Sequence, residues 1–152
     1  MKATAIITIA LIISASLMAF KVSPGIDMEE FREGKYIHLD QVTIEFDKTD
    51  AEVIIEYRLT PFAQAYMFLF GSSHLEPKIK EIFSDFNEVT IQEIGRTHAK
   101  VLVKDISRQS NDYYLHDTRQ LGMEPDMLTL VFPDGSRRNA ENARETPNTF
   151  YG

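Results

Sequence analysis

The sequence predicts an α+β domain: an antiparallel sheet of four to five strands with a helical pair packed on one face, preceded by an N-terminal transmembrane or signal helix. Three observations lead there. Most segments between residues 36 and 135 alternate apolar and polar residues, the pattern of strands with one face buried and one solvated. Two helical segments lie side by side in the order strand, strand, helix, helix, strand, strand, strand, which segregates helices to one side of a sheet. Finally, residues 3–20 (ATAIITIALIISASLMAF) form 18 consecutive uncharged residues between Lys2 and Lys21.

That first run has the length of a membrane span, about 27 Å as a helix. Only Thr4, Thr8, Ser14 and Ser16 interrupt it, so it lacks the polar face of a soluble core helix. Ser14-Ala15-Ser16 would suit a signal peptidase, which would release a secreted domain after cleavage near Ser16. Leu17, Met18, Ala19 and Phe20 carry the apolar run past that point, which favours a retained signal-anchor at 1–21. A two-residue amino tail before such a run places the following domain outside the cytoplasm. Residues 22–35 are charged and broken by Pro24-Gly25 and Gly34, the composition of a linker.

Within the domain, Ile37 and Leu39 alternate, the phase slips near Asp40-Gln41, and Val42, Ile44 and Phe46 resume it. One long strand with a bulge fits. After the turn-like Asp47-Lys48-Thr49-Asp50, Val53, Ile55, Tyr57 and Leu59 alternate with Glu52, Glu56 and Arg58, completing a hairpin. Thr60-Pro61 reads as N-cap and first helical residue, and Gly71 as a stop. Leu75, Ile79, Ile82, Phe83 and Phe86 then repeat at helical spacing, with Lys78, Lys80, Glu81 and Asp85 on the other faces. Strands follow at 89–94 and 99–106. Residues 107–126 read as a long loop with an irregular strand around Tyr113-Tyr114. Residues 128–132 alternate again and end at the turn Pro133-Asp134-Gly135. From Ser136 onward the chain is almost without apolar residues, so 136–152 reads as a polar tail dispensable for folding.

Composition excludes several functions. With 152 residues the chain has room for one ordinary domain. It has no cysteine, which removes disulfide scaffolds, thiolate nucleophiles and Cys-based metal sites. A net charge of −7 argues against coating nucleic-acid phosphates. Residues 26–60 contain ten acids and four bases, so the first hairpin is the acidic part, either a solvated outer face or a patch for a basic partner or cations.

Catalytic and cofactor motifs fail in turn. The seven glycines never form GxGxxG or GxxxxGK[ST], so no cofactor is expected. Gly71-Ser72-Ser73-His74 is not GxSxG and reads as a helix start with Ser as cap. His38, His74, His98 and His116 show neither HxH nor HExxH spacing, so no metal site is expected. His116-Asp117 lies in a loop-like region, but neighbours in an extended chain point to opposite sides. Asp47, Asp50 and Glu52 lack the glycine and final glutamate of an EF-hand.

The informative oddity is residues 61–70, PFAQAYMFLF. At about 15 Å this helix is too short to span a bilayer, yet it is apolar on nearly every side. Phe62, Tyr66, Leu69 and Phe70 form one stripe, leaving Ala65, Met67 and Phe68 elsewhere. Either both sides are buried in the domain, or one is a patch for a membrane surface or another protein. Phe62, Tyr66, Met67, Phe68, Leu69 and Phe70, with Phe150 and Tyr151 at the C-terminus, are the candidate interaction residues. The expected function is that of a membrane-tethered, extracytoplasmic binding or accessory module with a protein partner and no catalysis. The rival is a small secreted or tethered hydrolase-type enzyme using carboxylates and His116.

Overall fold

The computed structural model describes residues 35–152. The run 3–20 and nearly all of the linker lie outside the described residues. The domain is mixed α+β with one six-stranded sheet, one three-stranded sheet and two α-helices among the described residues.

Strands β1 (Ile37–Asp47) and β2 (Asp50–Leu59) pair antiparallel from Ile37 opposite Leu59 to Asp47 opposite Asp50. The register shifts between Leu39 and Gln41, so Asp40 is the extra residue that the phase slip in the sequence demands. Helix α1 (Pro61–Phe70) follows, then a 3-10 turn at Ser72–Leu75 and helix α2 (Glu76–Ile82). Strands β3 (Glu88–Ile94) and β4 (His98–Lys104) form the next hairpin, and β4 pairs antiparallel with β2.

The remainder departs from expectation in part. The irregular strand expected around Tyr113-Tyr114 is β6 (Tyr113–His116), but it does not stand alone: it makes a short hairpin with β5 (Arg108–Ser110). Strand β7 (Met127–Val131) then pairs parallel with β1, so the sheet is not wholly antiparallel. The reason is positional. Strand β4 ends beside Ala51, at the far end of β1, and the chain must travel back before β7 can start. It crosses beneath α2, where the Gly122 N–H donates to the Ile82 carbonyl, and arrives with the Asp126 N–H on the Leu39 carbonyl. It therefore runs in the direction of β1.

The polar tail is also corrected. Residues 136–152 contain β8 (Arg137–Glu141), which pairs with β7, and β9 (Thr149–Tyr151), which pairs with β6. The large sheet thus reads β3-β4-β2-β1-β7-β8 and the small one β5-β6-β9. Strand β8 sits at an edge with mostly exposed side chains, so it never needed the alternation by which strands are recognised.

The core lies on one face of the large sheet. Leu39, Val42, Ile44, Val53, Ile55, Tyr57, Ala99, Val101, Val103, Leu128 and Leu130 supply it from the strands, each at 1% exposure or less. Leu75 of the 3-10 turn, Ile79 and Ile82 of α2, and Phe83 and Phe86 from the turns that follow join it. The five positions of the expected stripe are all buried, but the regular helix stops at Ile82, short of the run that the spacing predicts. Leu121, Ile106 and Tyr151 complete the cluster. Helix α1 contributes Ala63 fully and Met67 in part.

Candidate functional site

Helix α1 begins and ends as its sequence dictates. The Thr60 side chain accepts from the Ala63 N–H at 3.4 Å, Pro61 occupies the first turn, and the Gly71 N–H closes onto the Met67 carbonyl at φ 85°, a conformation suited to glycine. Its one strongly polar side chain, Gln64, donates to the Leu59 carbonyl at 2.9 Å.

Between these ends the residues sort by face. Tyr66 is half-buried and packs against Phe62 (6.3 Å between ring centroids), Phe70 (4.6 Å) and His74 (4.9 Å). These rings form a ladder at i, i+4 spacing. Met67 is partly buried against the core. Phe68, Leu69 and Phe70 are 76%, 70% and 60% exposed. Of the two readings left open by the sequence, the exposed patch is the one observed. Beside it lies a groove of about 450 Å³ lined by Pro61, Gln64, Ala65, Met67 and Phe68 together with Arg58 and Arg96.

Phe150 and Tyr151, adjacent in sequence, part company. Phe150 is 72% exposed. Tyr151 is buried at 6%, and its hydroxyl bonds the Lys48 carbonyl and the Ser107 hydroxyl, each at 2.7 Å. Burial pushes its phenol pKa up. Tyr151 is a core residue, so its expected role in an interaction surface is corrected: alternation along β9 turns it inward while Phe150 points out. Tyr113, which falls within the stretch expected as a loop, takes its place. Its ring stands edge-on to Phe150 at 6.5 Å and 87°, and the two rings border a shallow groove of about 330 Å³ with Ser110, Asn111 and Leu115. The adjacent Tyr113-Tyr114 pair is the signal for it in the sequence.

The two patches occupy opposite ends of β1. At one end the Tyr36 carbonyl accepts from the Thr60 N–H at 3.0 Å, so the chain enters the domain beside the cap of α1. At the other, Phe46 packs on Tyr151 at 4.8 Å and on His116 at 5.2 Å. The eleven-residue strand between these ends is roughly 35 Å long.

The chemically suggestive residues have structural partners. His116 is 1% exposed. Its Nδ1 lies 2.9 Å from the Ile106 carbonyl, which can only accept, so Nδ1 carries the proton and Nε2 accepts from the Thr146 hydroxyl at 2.7 Å. Burial, ahead of the nearby Arg119 charge, holds its pKa below the ordinary value. Asp117 faces away and meets Arg108 at 3.4 Å. Tyr57 donates to the Gly95 carbonyl at 2.7 Å, and burial raises its pKa to about 12.

Ser72 and Ser73 do not cap a helix through their side chains; the 3-10 turn that contains them has no such bond. Asp50 accepts from the Asp105 N–H at 3.1 Å, and Glu52 pairs with Lys100 at 2.7 Å. The fold does assemble one group invisible to spacing: His38, Asp40 and Asp126 offer ligand atoms within 4.8 Å of one another. Arg58 already lies among them, 2.6 Å from Asp40 and 3.8 Å from Asp126. Its guanidinium supplies the positive charge that a metal would bring.

No protein-family model matches the chain, and no curated protein or solved structure is significantly similar to it. Among the described residues no helix is long and apolar enough to cross a membrane.

Proposed function

We propose that the chain is a membrane-tethered, extracytoplasmic binding module, held by residues 3–20 and acting through contacts with a protein partner without catalysis. The observation that carries this reading is the exposed aromatic pair Tyr113 and Phe150, 57% and 72% open to solvent. Large aromatic side chains left in water on rigid, paired strands are the usual anchors of protein interfaces. The pair stands at the end of β1 away from the point where the linker enters, the end best placed to meet a partner. The His116 geometry supports the same reading, because both ring nitrogens are spent on groups inside the fold.

The test is a photo-crosslinking amino acid at position 150 of the full chain, expressed in its native host, with position 137 as control. A single defined protein adduct at 150, lost with Tyr113→Asp, is the expected result. Adducts equally frequent at both positions would defeat the reading. An enzyme would instead be revealed by loss of a phenotype in His116→Gln with an unchanged melting profile at neutral pH.

A further inference from the structure

Helix α1 presents Phe68, Leu69 and Phe70 to solvent at 76%, 70% and 60% exposure, and the chain enters the domain beside that helix. We propose that this exposed last turn of α1 docks into the headgroup and acyl boundary of the bilayer that holds residues 3–20, so that the domain rests on the membrane by its tethered end. The inference rests on the tether reading above and adds the identity of the surface that covers α1.

Three observations select a bilayer as the occupant. The first is reach: the 14 residues of linker 22–35 span at most ~50 Å, and they lead to Tyr36, bonded to the cap of α1. The patch is thus confined near any surface that holds the run 3–20, and a weak interfacial helix gains from that proximity what a free one lacks. The second is composition. Helix α1 has no charged residue and ends in Phe-Leu-Phe, the large apolar side chains that settle at the boundary between headgroups and acyl chains. At ten residues it can only lie along a membrane, not cross it. The third is charge. Arg58 and Arg96 line the groove together with Met67 and Phe68, so cations stand beside the apolar side chains, the pairing that an anionic lipid surface attracts. Arg58 is paired with Asp40, while Arg96 has no acidic partner among the described residues and is available to a phosphate.

The chain contains no tryptophan, so a single one is a clean reporter. Phe68→Trp and, separately, Phe150→Trp are made in the full chain and reconstituted into phosphatidylcholine vesicles with and without phosphatidylglycerol. Flotation of the vesicles reports the tether, and quenching by brominated phosphatidylcholine or by aqueous acrylamide reports the surroundings of each indole. The expected result is flotation of both variants. In Phe68→Trp the indole should lose most of its emission to brominated lipid and show a blue-shifted maximum, whereas in Phe150→Trp it should be quenched by acrylamide alone. Adding Leu69→Asp to Phe68→Trp should abolish the lipid quenching while flotation persists. Stronger lipid quenching of the indole at position 68 when phosphatidylglycerol is present, lost with Arg96→Gln, would support the phosphate contact.

Flotation with the position-68 indole open to acrylamide and untouched by brominated lipid would overturn the docking and leave the tether standing. Shielding of that indole from both quenchers would overturn it in favour of a protein cover, either the chain's own N-terminal run or a second copy. A chain that fails to float at all would overturn both readings.

Discussion

His116 has its Nδ1 proton on the Ile106 carbonyl and its Nε2 facing the Thr146 hydroxyl at 1% exposure, so a second proton would bring a charge into a site that excludes water. Its folded pKa lies below the unfolded value of 6.5. Below about pH 6.5 the unfolded chain therefore binds more protons than the folded one. The stability contributed by the neutral imidazole is present above that pH and is lost as the pH falls through the lowered folded value. Melting curves between about pH 8 and about pH 5 should show the wild type losing stability more steeply than His116→Gln, and parallel profiles would show that His116 is not the titrating group.

A second residue is decided by space rather than charge. A Cβ at Gly122 would strike the Glu81 carbonyl of α2, because the returning chain passes directly under that helix. Gly122→Ala should cost about 2 kcal/mol, measured by chemical denaturation. Neither fact was legible in sequence, since they depend on Thr146, 30 positions from His116, and on the Glu81 carbonyl from another element of the fold. The same holds for the cluster of His38 and Asp126, 88 residues apart.

At the scale of elements, legibility followed periodicity. The hairpin β1–β2, its bulge at Asp40 and the apolar stripe running from Leu75 to Phe86 were all readable because one of their faces is buried and the other is not. Strands β5, β8 and β9 were not, because three to five residues at a sheet edge need no repeating apolar face. Strand β9 nonetheless anchors the core through Tyr151, whose ring packs on Phe46, Phe132 and Tyr114. Tyr151→Ala, or deletion of 149–152, should destabilise the fold by about 3–5 kcal/mol, while the exposed neighbour change Phe150→Ala should stay within about 0.5 kcal/mol. Thermal melts of the three variants check this, and an unchanged midpoint after the deletion would restore 149–152 to the status of a tail.

Across the whole molecule, the parallel entry of β7 beside β1 was beyond sequence reasoning for a topological reason. An alternating strand has the same pattern whichever way its neighbour runs. The resulting sheet keeps charge at both edges, with Glu88 and Glu93 on β3 and Arg137, Arg138 and Glu141 on β8, an arrangement that discourages pairing with another chain along either edge. Among the described residues the exposed large apolar side chains, Phe68, Leu69, Phe70, Tyr113 and Phe150, lie toward the two ends of β1. The first end holds the helix beside the linker, and the second holds Tyr113 and Phe150.

That polarity makes the fate of residues 3–20 the property on which the proposed function turns. With 18 uncharged residues the run meets the length required to span, and Leu17 to Phe20 extend it beyond the cleavage signal at Ser14-Ala15-Ser16. A retained anchor predicts that intact mass finds residues 3–20 still joined to the domain in membranes washed with alkaline carbonate. It also predicts digestion of the domain by protease added to cells whose outer barriers have been opened. Cleavage near Ser16 predicts instead a soluble chain beginning at Leu17. In that form Phe68, Leu69 and Phe70 would have no adjoining bilayer, and the secreted domain should self-associate through α1, with Leu69→Asp restoring a monomer in sedimentation. A domain protected from protease until the membrane that holds residues 3–20 is broken would place it in the cytoplasm and reverse the topology.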